Sequence, residues 1–133
     1  AMNIAAKDAL YAQARRVLKP GGLFAVYDVL QGEGGEVIFP VPWAREPSIS
    51  HLATPEEMEA LLTAAGFSIL EREDSTEESL AWFQKRLEAL RKSGKPPLSL
   101  QLFLGDDLPE MTVNQVKNLQ ERRIRTVTYI CRA

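Results

Sequence analysis

The sequence predicts an α/β fold, and three stretches carry that prediction. Residues 15–28, RRVLKPGGLFAVYD, compress a helix tail, a Lys-Pro-Gly-Gly break and an apolar strand ending in a carboxylate. Residues 54–67, TPEEMEALLTAAGF, read as a capped helix that runs straight into a strand. Residues 124–132, IRTVTYICR, alternate in the manner of a final strand. Helices interleaved with strands in this way define the α/β class.

Along the chain, residues 3–18 place Ile4, Tyr11, Ala14 and Leu18 at spacings of seven, three and four, one face of a helix. Pro20 cannot continue that helix, and either Gly21 or Gly22 can adopt the positive φ of a C-terminal cap. The run Leu23–Leu30 is apolar on both alternating faces apart from Tyr27 and Asp28, which predicts a strand covered on both sides, as in a parallel sheet. Residues 31–53 hold three glycines and three prolines with no sustained period, and form a long loop. A structureless stretch of that length inside a domain is usually functional.

Thr54 is a natural N-cap, Pro55 sits at the first helical position, and Glu57 closes a capping box. Met58, Leu61, Leu62 and Ala65 form the buried stripe of that helix, Gly66 ends it, and Phe67–Arg72 follows as a strand. Ser75 and Glu78 predict a second capping box ahead of a helix over residues 76–92, with Leu80, Phe83, Leu87 and Leu90 inward and a break at SGKPP. After the apolar stretch LSLQLFLGDDLP, residues 110–120 read as another helix with Met111, Val116 and Leu119 inward. Ile124–Arg132 then sets Val127, Tyr129 and Cys131 against Thr126, Thr128 and Ile130. No internal repeat or low-complexity segment interrupts this order.

The bulk numbers narrow the function classes. A chain of 133 residues with 45% hydrophobic residues makes one domain, residues 1–133, with a real core. Sixteen basic residues against 18 acidic ones give a formal charge of -2, without the basic patch that nucleic-acid binding needs. No long apolar span or signal-peptide pattern is present, so a cytoplasmic protein with neither membrane nor nucleic acid as partner is expected. One cysteine, Cys131, and one histidine, His51, fall short of a zinc set, and Cys131 reads as a small core residue. The acids Glu71, Glu73, Asp74, Glu77 and Glu78 straddle a strand end and a helix start without a calcium-loop pattern, and read as solvated surface.

The strings MNIAAKDALYAQARRVLKPGGLFAVYDVLQG, FPVPWAREPSISHL, TPEEMEALLTAAGF and LSLQLFLGDDLPEMTVNQVKNLQERRIRTV, taken together, span nearly all of the chain. In that combination the sequence resembles the C-terminal half of class I S-adenosylmethionine-dependent methyltransferases. The similarity is greatest to the small-molecule branch that includes the glycine-sarcosine and dimethylglycine N-methyltransferases. The resemblance implies a Rossmann-like sheet to which this chain supplies three strands, Leu23–Leu30, Phe67–Arg72 and Ile124–Arg132, the last antiparallel and central, with flanking helices. It also implies S-adenosylmethionine as methyl donor. The family's glycine-rich loop after its first strand has no counterpart in these residues, so this chain alone is expected not to bind the donor and to be inactive by itself. The only glycine cluster, GEGG at 32–35, follows the wrong strand and opens no helix.

Four residues are candidates for the acceptor side. Tyr27 and Asp28 are expected at the carboxyl end of their strand, facing the ligand crevice, or else as a packing ring and a turn cap. Trp43, between Pro42 and Ala44 in the stiffened FPVPWA loop, reads as an aromatic wall able to hold a methylammonium group or as a plug over apolar surface. His51 is of the right type for a base near neutral pH, although a lone histidine between Ser50 and Leu52 is more often structural. Met2 and Asn3 match the family's MNI segment near the donor's methionine portion and are cofactor-side candidates by that resemblance. No residue stands out as a catalytic nucleophile. Finally, an apolar strand 23–30 without its family neighbour leaves an open sheet edge, which predicts either a homodimer or docking of a separately encoded N-terminal half. A non-enzymatic binding or assembly module that dimerises through that strand is the alternative function.

Overall fold

The computed structural model describes residues 1–93 and 105–133. The SGKPP break beyond Ser93, the stretch LSLQLFL and the side chain of Leu90 lie outside the described residues. Three strands form one sheet: β1 (Leu23–Gln31), β2 (Ser68–Asp74) and β3 (Ile124–Arg132), in the order β1-β3-β2. The last strand is central and antiparallel to both neighbours, with Leu23 opposite Arg132 at one end of β1 and Gln31 opposite Ile124 at the other. This is the arrangement that the family resemblance implied. A register shift between Ile69 and Glu71 bends β2, whose exposed Glu71, Arg72 and Glu73 make that edge unattractive for further pairing.

Helix α1 (Lys7–Val17) begins later than its periodicity predicts, because Ala1 to Ala6 fold into turns closed by the Ile4 and Lys7 amides. Ile4 therefore stays off the helix, 40% exposed, and Lys7, one turn before Tyr11, takes the inward place. Of the two glycines that follow, Gly21 adopts the positive φ, and its N–H donates to the Ala133 carbonyl at 2.7 Å. Helix α2 (Pro55–Ala64) carries the full reciprocal capping box: Thr54 Oγ1 accepts from the Glu57 amide, and the Glu57 carboxylate accepts from the Thr54 amide. It crosses from β1 to β2 and buries Met58 and Leu62.

Helix α3 (Thr76–Ser93) starts differently from expectation. The Asp74 carboxylate accepts the Thr76 amide at 3.0 Å, while Ser75 turns its hydroxyl toward Thr126 instead of capping with Glu78. A single 3₁₀ turn, Gly105–Asp107, leads into α4 (Leu108–Gln120). Its buried face is Met111, Thr112, Gln115, Asn118 and Leu119, and Val116 is only half-buried, so an apolar stripe alone misses the inward side. Three polar residues sit there: Asn118 bonds the backbone of the long loop, and Thr112 donates to the Leu108 carbonyl one turn earlier. Gln115 Oε1 has no partner among the described residues.

The core lies between the sheet and the α1–α2 layer. Tyr11, Leu30, Met58, Leu62, Val127 and Tyr129 form its buried centre, with Phe24 stacked on Phe67 at 5.0 Å between ring centroids. Helices α3 and α4 pack on each other and on β3 from the other side. They leave the odd-numbered face of β1 open: Leu23 is 63% exposed and Tyr27 58%. The expectation of a strand covered on both faces is thus corrected; one helical layer covers β1, and the other sits over β3.

The free side of β1 also has a defined polarity. Ala133 donates to the Gly22 carbonyl, and the Gly32 amide donates to the Arg123 carbonyl, which puts the even-numbered residues of β1 in the ladder with β3. The N–H groups of Leu23, Ala25 and Tyr27 consequently point away from the sheet. Gln31 and Val29 are satisfied locally, by the Ala53 carbonyl and the Asp28 carboxylate.

Candidate functional site

The long loop after β1 folds back across the ends of α1 and α2 and encloses an open groove of about 1040 Å³. Its floor is Gln31 at the carboxyl end of β1 together with Lys7 at the start of α1. One wall is the loop segment with Glu36, Val37 and Phe39, and the other is the α2 face with Glu57, Ala60 and Leu61. His51 and Leu52 close the end. Carboxyl ends of strands are where α/β folds place their ligands, because the loops there are free to diverge from the packed layers.

Local structure explains how each wall is held. The Gln31 amide donates to the Ala53 carbonyl at 2.9 Å, tying both ends of the loop to one point. Gly32 and Gly34 donate to the carbonyls of Arg123 and Arg122, and a Cβ on Gly34 would lie 1.7 Å from the Glu121 carbonyl oxygen. The GEGG cluster is thus packed against the turn between α4 and β3, where only glycine allows so close a backbone approach. Filled by protein backbone, it is no cradle for a donor nucleoside, and the residues present do not fit S-adenosylmethionine there. Asn3 donates from Nδ2 to the carbonyls of Trp43 (2.7 Å) and Ile49 (2.8 Å), and the His51 amide donates to the Met2 carbonyl at 2.8 Å.

Electrostatically the groove combines one buried cation with several carboxylates. Lys7 is 6% exposed, and its Nζ donates to the carbonyls of Ala1 (2.7 Å) and Ile4 (2.8 Å). Burial lowers its pKa, opposed by the nearby Asp28 carboxylate. Asp28, 2% exposed, accepts from the Ala1 ammonium at 2.8 Å and from the Val29 amide at 3.0 Å. Beneath them Tyr11 donates to Met58 Sδ at 3.2 Å, and its pKa is pushed up to about 12 by burial first and then by Asp28 and Tyr129. Even set against the Lys7 ammonium, the carboxylates of Asp8, Glu36 and Glu57 give the lining a negative balance.

The structure separates the residues singled out in the sequence. His51 lines the groove, and its imidazole makes no hydrogen bond among the described residues. Asp28 lies buried beside Lys7 below it. Tyr27 does not share that rim: adjacent residues of a strand face opposite sides, and its hydroxyl meets Ser79 Oγ of α3 at 3.3 Å. Trp43 stands on the far side of the loop, where its indole donates to Ser50 Oγ at 3.0 Å and its ring lines a second hollow of about 460 Å³ with Ile49 and Met111. Met2, through its carbonyl, and Asn3, through its side-chain amide, are joined to the backbone of the Trp43–His51 segment. Sequence reasoning missed Lys7, Gln31 and Phe39. A signal existed for Lys7, since Lys7, Tyr11, Ala14 and Leu18 keep helical spacing better than Ile4 does; nothing local marked the other two.

No protein-family profile matches the sequence, and no curated protein does. Solved structures do match in fold. The chain superposes on a protein of Galdieria sulphuraria assigned as a sarcosine dimethylglycine methyltransferase, with a TM-score of 0.75 and 14% identity over 98% of this chain and 49% of that one. A phosphoethanolamine N-methyltransferase 2 of Haemonchus contortus, solved with phosphomonomethylethanolamine and S-adenosylhomocysteine, gives 0.75 and 17% over 98% and 31%. The cyclopropane synthase MmaA2 of Mycobacterium tuberculosis gives 0.67 and 15% over 96% and 50%. The chain therefore spans about half the length of these proteins or less, and it has the fold of the C-terminal part of S-adenosylmethionine-dependent methyltransferases. At such identities the likeness is one of fold, and function must be argued from the site.

Proposed function

We propose that this chain is the acceptor-side half of a small-molecule methyltransferase, with the groove between the long loop and α2 as its acceptor site. One observation carries the reading: a groove of about 1040 Å³ opens at the carboxyl end of β1, with a largely apolar lining that also holds Lys7, Gln31 and His51. Its carboxylates favour a protonated amine with a small apolar body over an anionic acceptor. Methyl transfer to an amine asks the protein mainly to orient the nucleophile and exclude water, so His51, Gln31 and the loop wall suffice without a nucleophilic residue. The donor is gripped by residues other than these, since the GEGG segment is occupied by the α4–β3 turn.

The open edge of β1 favours a second reading, an assembly module, and is compatible with the first. In either case an added strand pairs with Leu23, Ala25 and Tyr27, supplied by a second copy or by a complementary N-terminal half. Titration calorimetry and NMR separate these ideas. Dimethylammonium is expected to shift resonances of His51, Phe39 and Leu61 while acetate does not, and S-adenosylmethionine is expected to give no heat at micromolar chain. Acetate binding in place of the amine would reject the acceptor assignment, and micromolar donor binding would reject the division of labour.

A further inference from the structure

Two asparagines of α4 reach across the molecule to the loop that walls the groove. Asn118, fully buried, donates from Nδ2 to the Ile38 carbonyl and accepts the Ile38 amide on Oδ1, both at 2.9 Å. One helical turn earlier, Asn114 donates from Nδ2 to the Pro40 carbonyl at 3.0 Å. The carboxamide does for Ile38 what a neighbouring strand would do, satisfying its donor and its acceptor together. Val37 and Phe39, on either side of Ile38, line the groove.

A buried asparagine in a helix interior is costly unless its side chain is fully bonded. Here that bonding is spent entirely on the loop backbone. Among side chains only an amide of this length both donates and accepts at this place: aspartate loses the donor and turns a charge toward a carbonyl, leucine loses both bonds, and glutamine displaces the amide by a methylene. We propose that Asn118, assisted by Asn114, is a positioning residue that fixes the Val37–Phe39 wall and so sets the width of the groove. This rests on the groove being the acceptor site.

The test uses the full chain in two arms, amide hydrogen exchange and NMR titration with dimethylammonium. In the parent protein the Ile38 amide exchanges slowly, at least about tenfold below an exposed loop amide. Asn118→Asp raises that exchange at least about tenfold and weakens dimethylammonium at least about threefold, and Asn114→Ala does the same to a smaller degree. Thr112→Val, which removes a hydrogen bond internal to α4, lowers the melting temperature without changing probe affinity. Unchanged Ile38 exchange in both asparagine variants, or parent-like probe affinity despite a loosened Ile38, overturns the proposal. Should Asn118→Asp fail to fold, Asn114→Ala decides. Should the parent not bind the probe, the acceptor reading falls, and exchange at Ile38 alone still judges whether the clamp exists.

Discussion

Tyr11 and Tyr129 show at the residue scale what burial does to a titratable group. Both are almost fully buried, and both have pKa values pushed up to about 12, chiefly by burial. A raised folded pKa on an acid means that its contribution to stability is complete below the unfolded value near 10 and drains away as pH rises through 12. The urea midpoint is therefore expected to fall between pH 9.5 and pH 11.5, roughly the interval bounded by these values. Tyr11→Phe, which gives up a weak bond to Met58, is expected to cost about 0.5–1 kcal/mol at neutral pH and to flatten the alkaline slope. An unchanged slope would mean that Tyr11 is not buried in this way. Cys131, buried and raised by burial alone, takes the core place its β-like surroundings suggested.

Elements differ in how far their own residues define them. Helix α2 is legible from end to end, because its cap, proline, stripe and terminal glycine all lie within thirteen positions of one another, Thr54 to Gly66, and Gly66 takes a φ of +88° as a cap requires. Helices α3 and α4 are less so, since Asp74 and Asn118 serve partners outside their own periodic pattern. Two substitutions measure that difference by thermal unfolding. Thr54→Ala is expected to cost about 1 kcal/mol, a local cap. Gly34→Ala is expected to cost several times more, about 3 kcal/mol or beyond, because the new methyl would meet backbone and not a movable side chain. A third probe is the junction of β2, β3 and the loop, where Arg125 bonds Asp74 (2.9 Å) and Glu33 (2.8 Å). Burial pulls the Asp74 pKa upward, yet bonds from Thr76 and Arg125 together hold it below its ordinary 3.8. Its contribution is then full above about pH 4 and lost on acidification through the folded value. Arg125→Met is expected to weaken the acid dependence below pH 4, in urea titrations read from about pH 5 downward.

At the scale of the whole molecule the open edge of β1 is the dominant feature. Ala25 projects its N–H away from β3, so Ala25→Pro removes an outward donor and spares the internal ladder. Sedimentation velocity is expected to show the parent chain self-associating at micromolar concentration and Ala25→Pro shifted toward monomer. A monomeric parent would remove the case for homodimerisation through this strand, and equal association of both proteins would move the contact elsewhere. The α/β class, the three strands and the closed cap of α2 were decided by the sequence itself, because periodicity, caps and glycine placement act between residues a few positions apart; the central place of the last strand was implied only by the family resemblance. Tertiary structure alone decided that Tyr27 turns away from the groove, that Trp43 stands outside it, and that Asn118 bonds the Ile38 backbone eighty residues upstream. Those outcomes depend on which helical layer covers which strand and on backbone-to-side-chain bonds between distant segments, and neither leaves a local pattern in the order of residues.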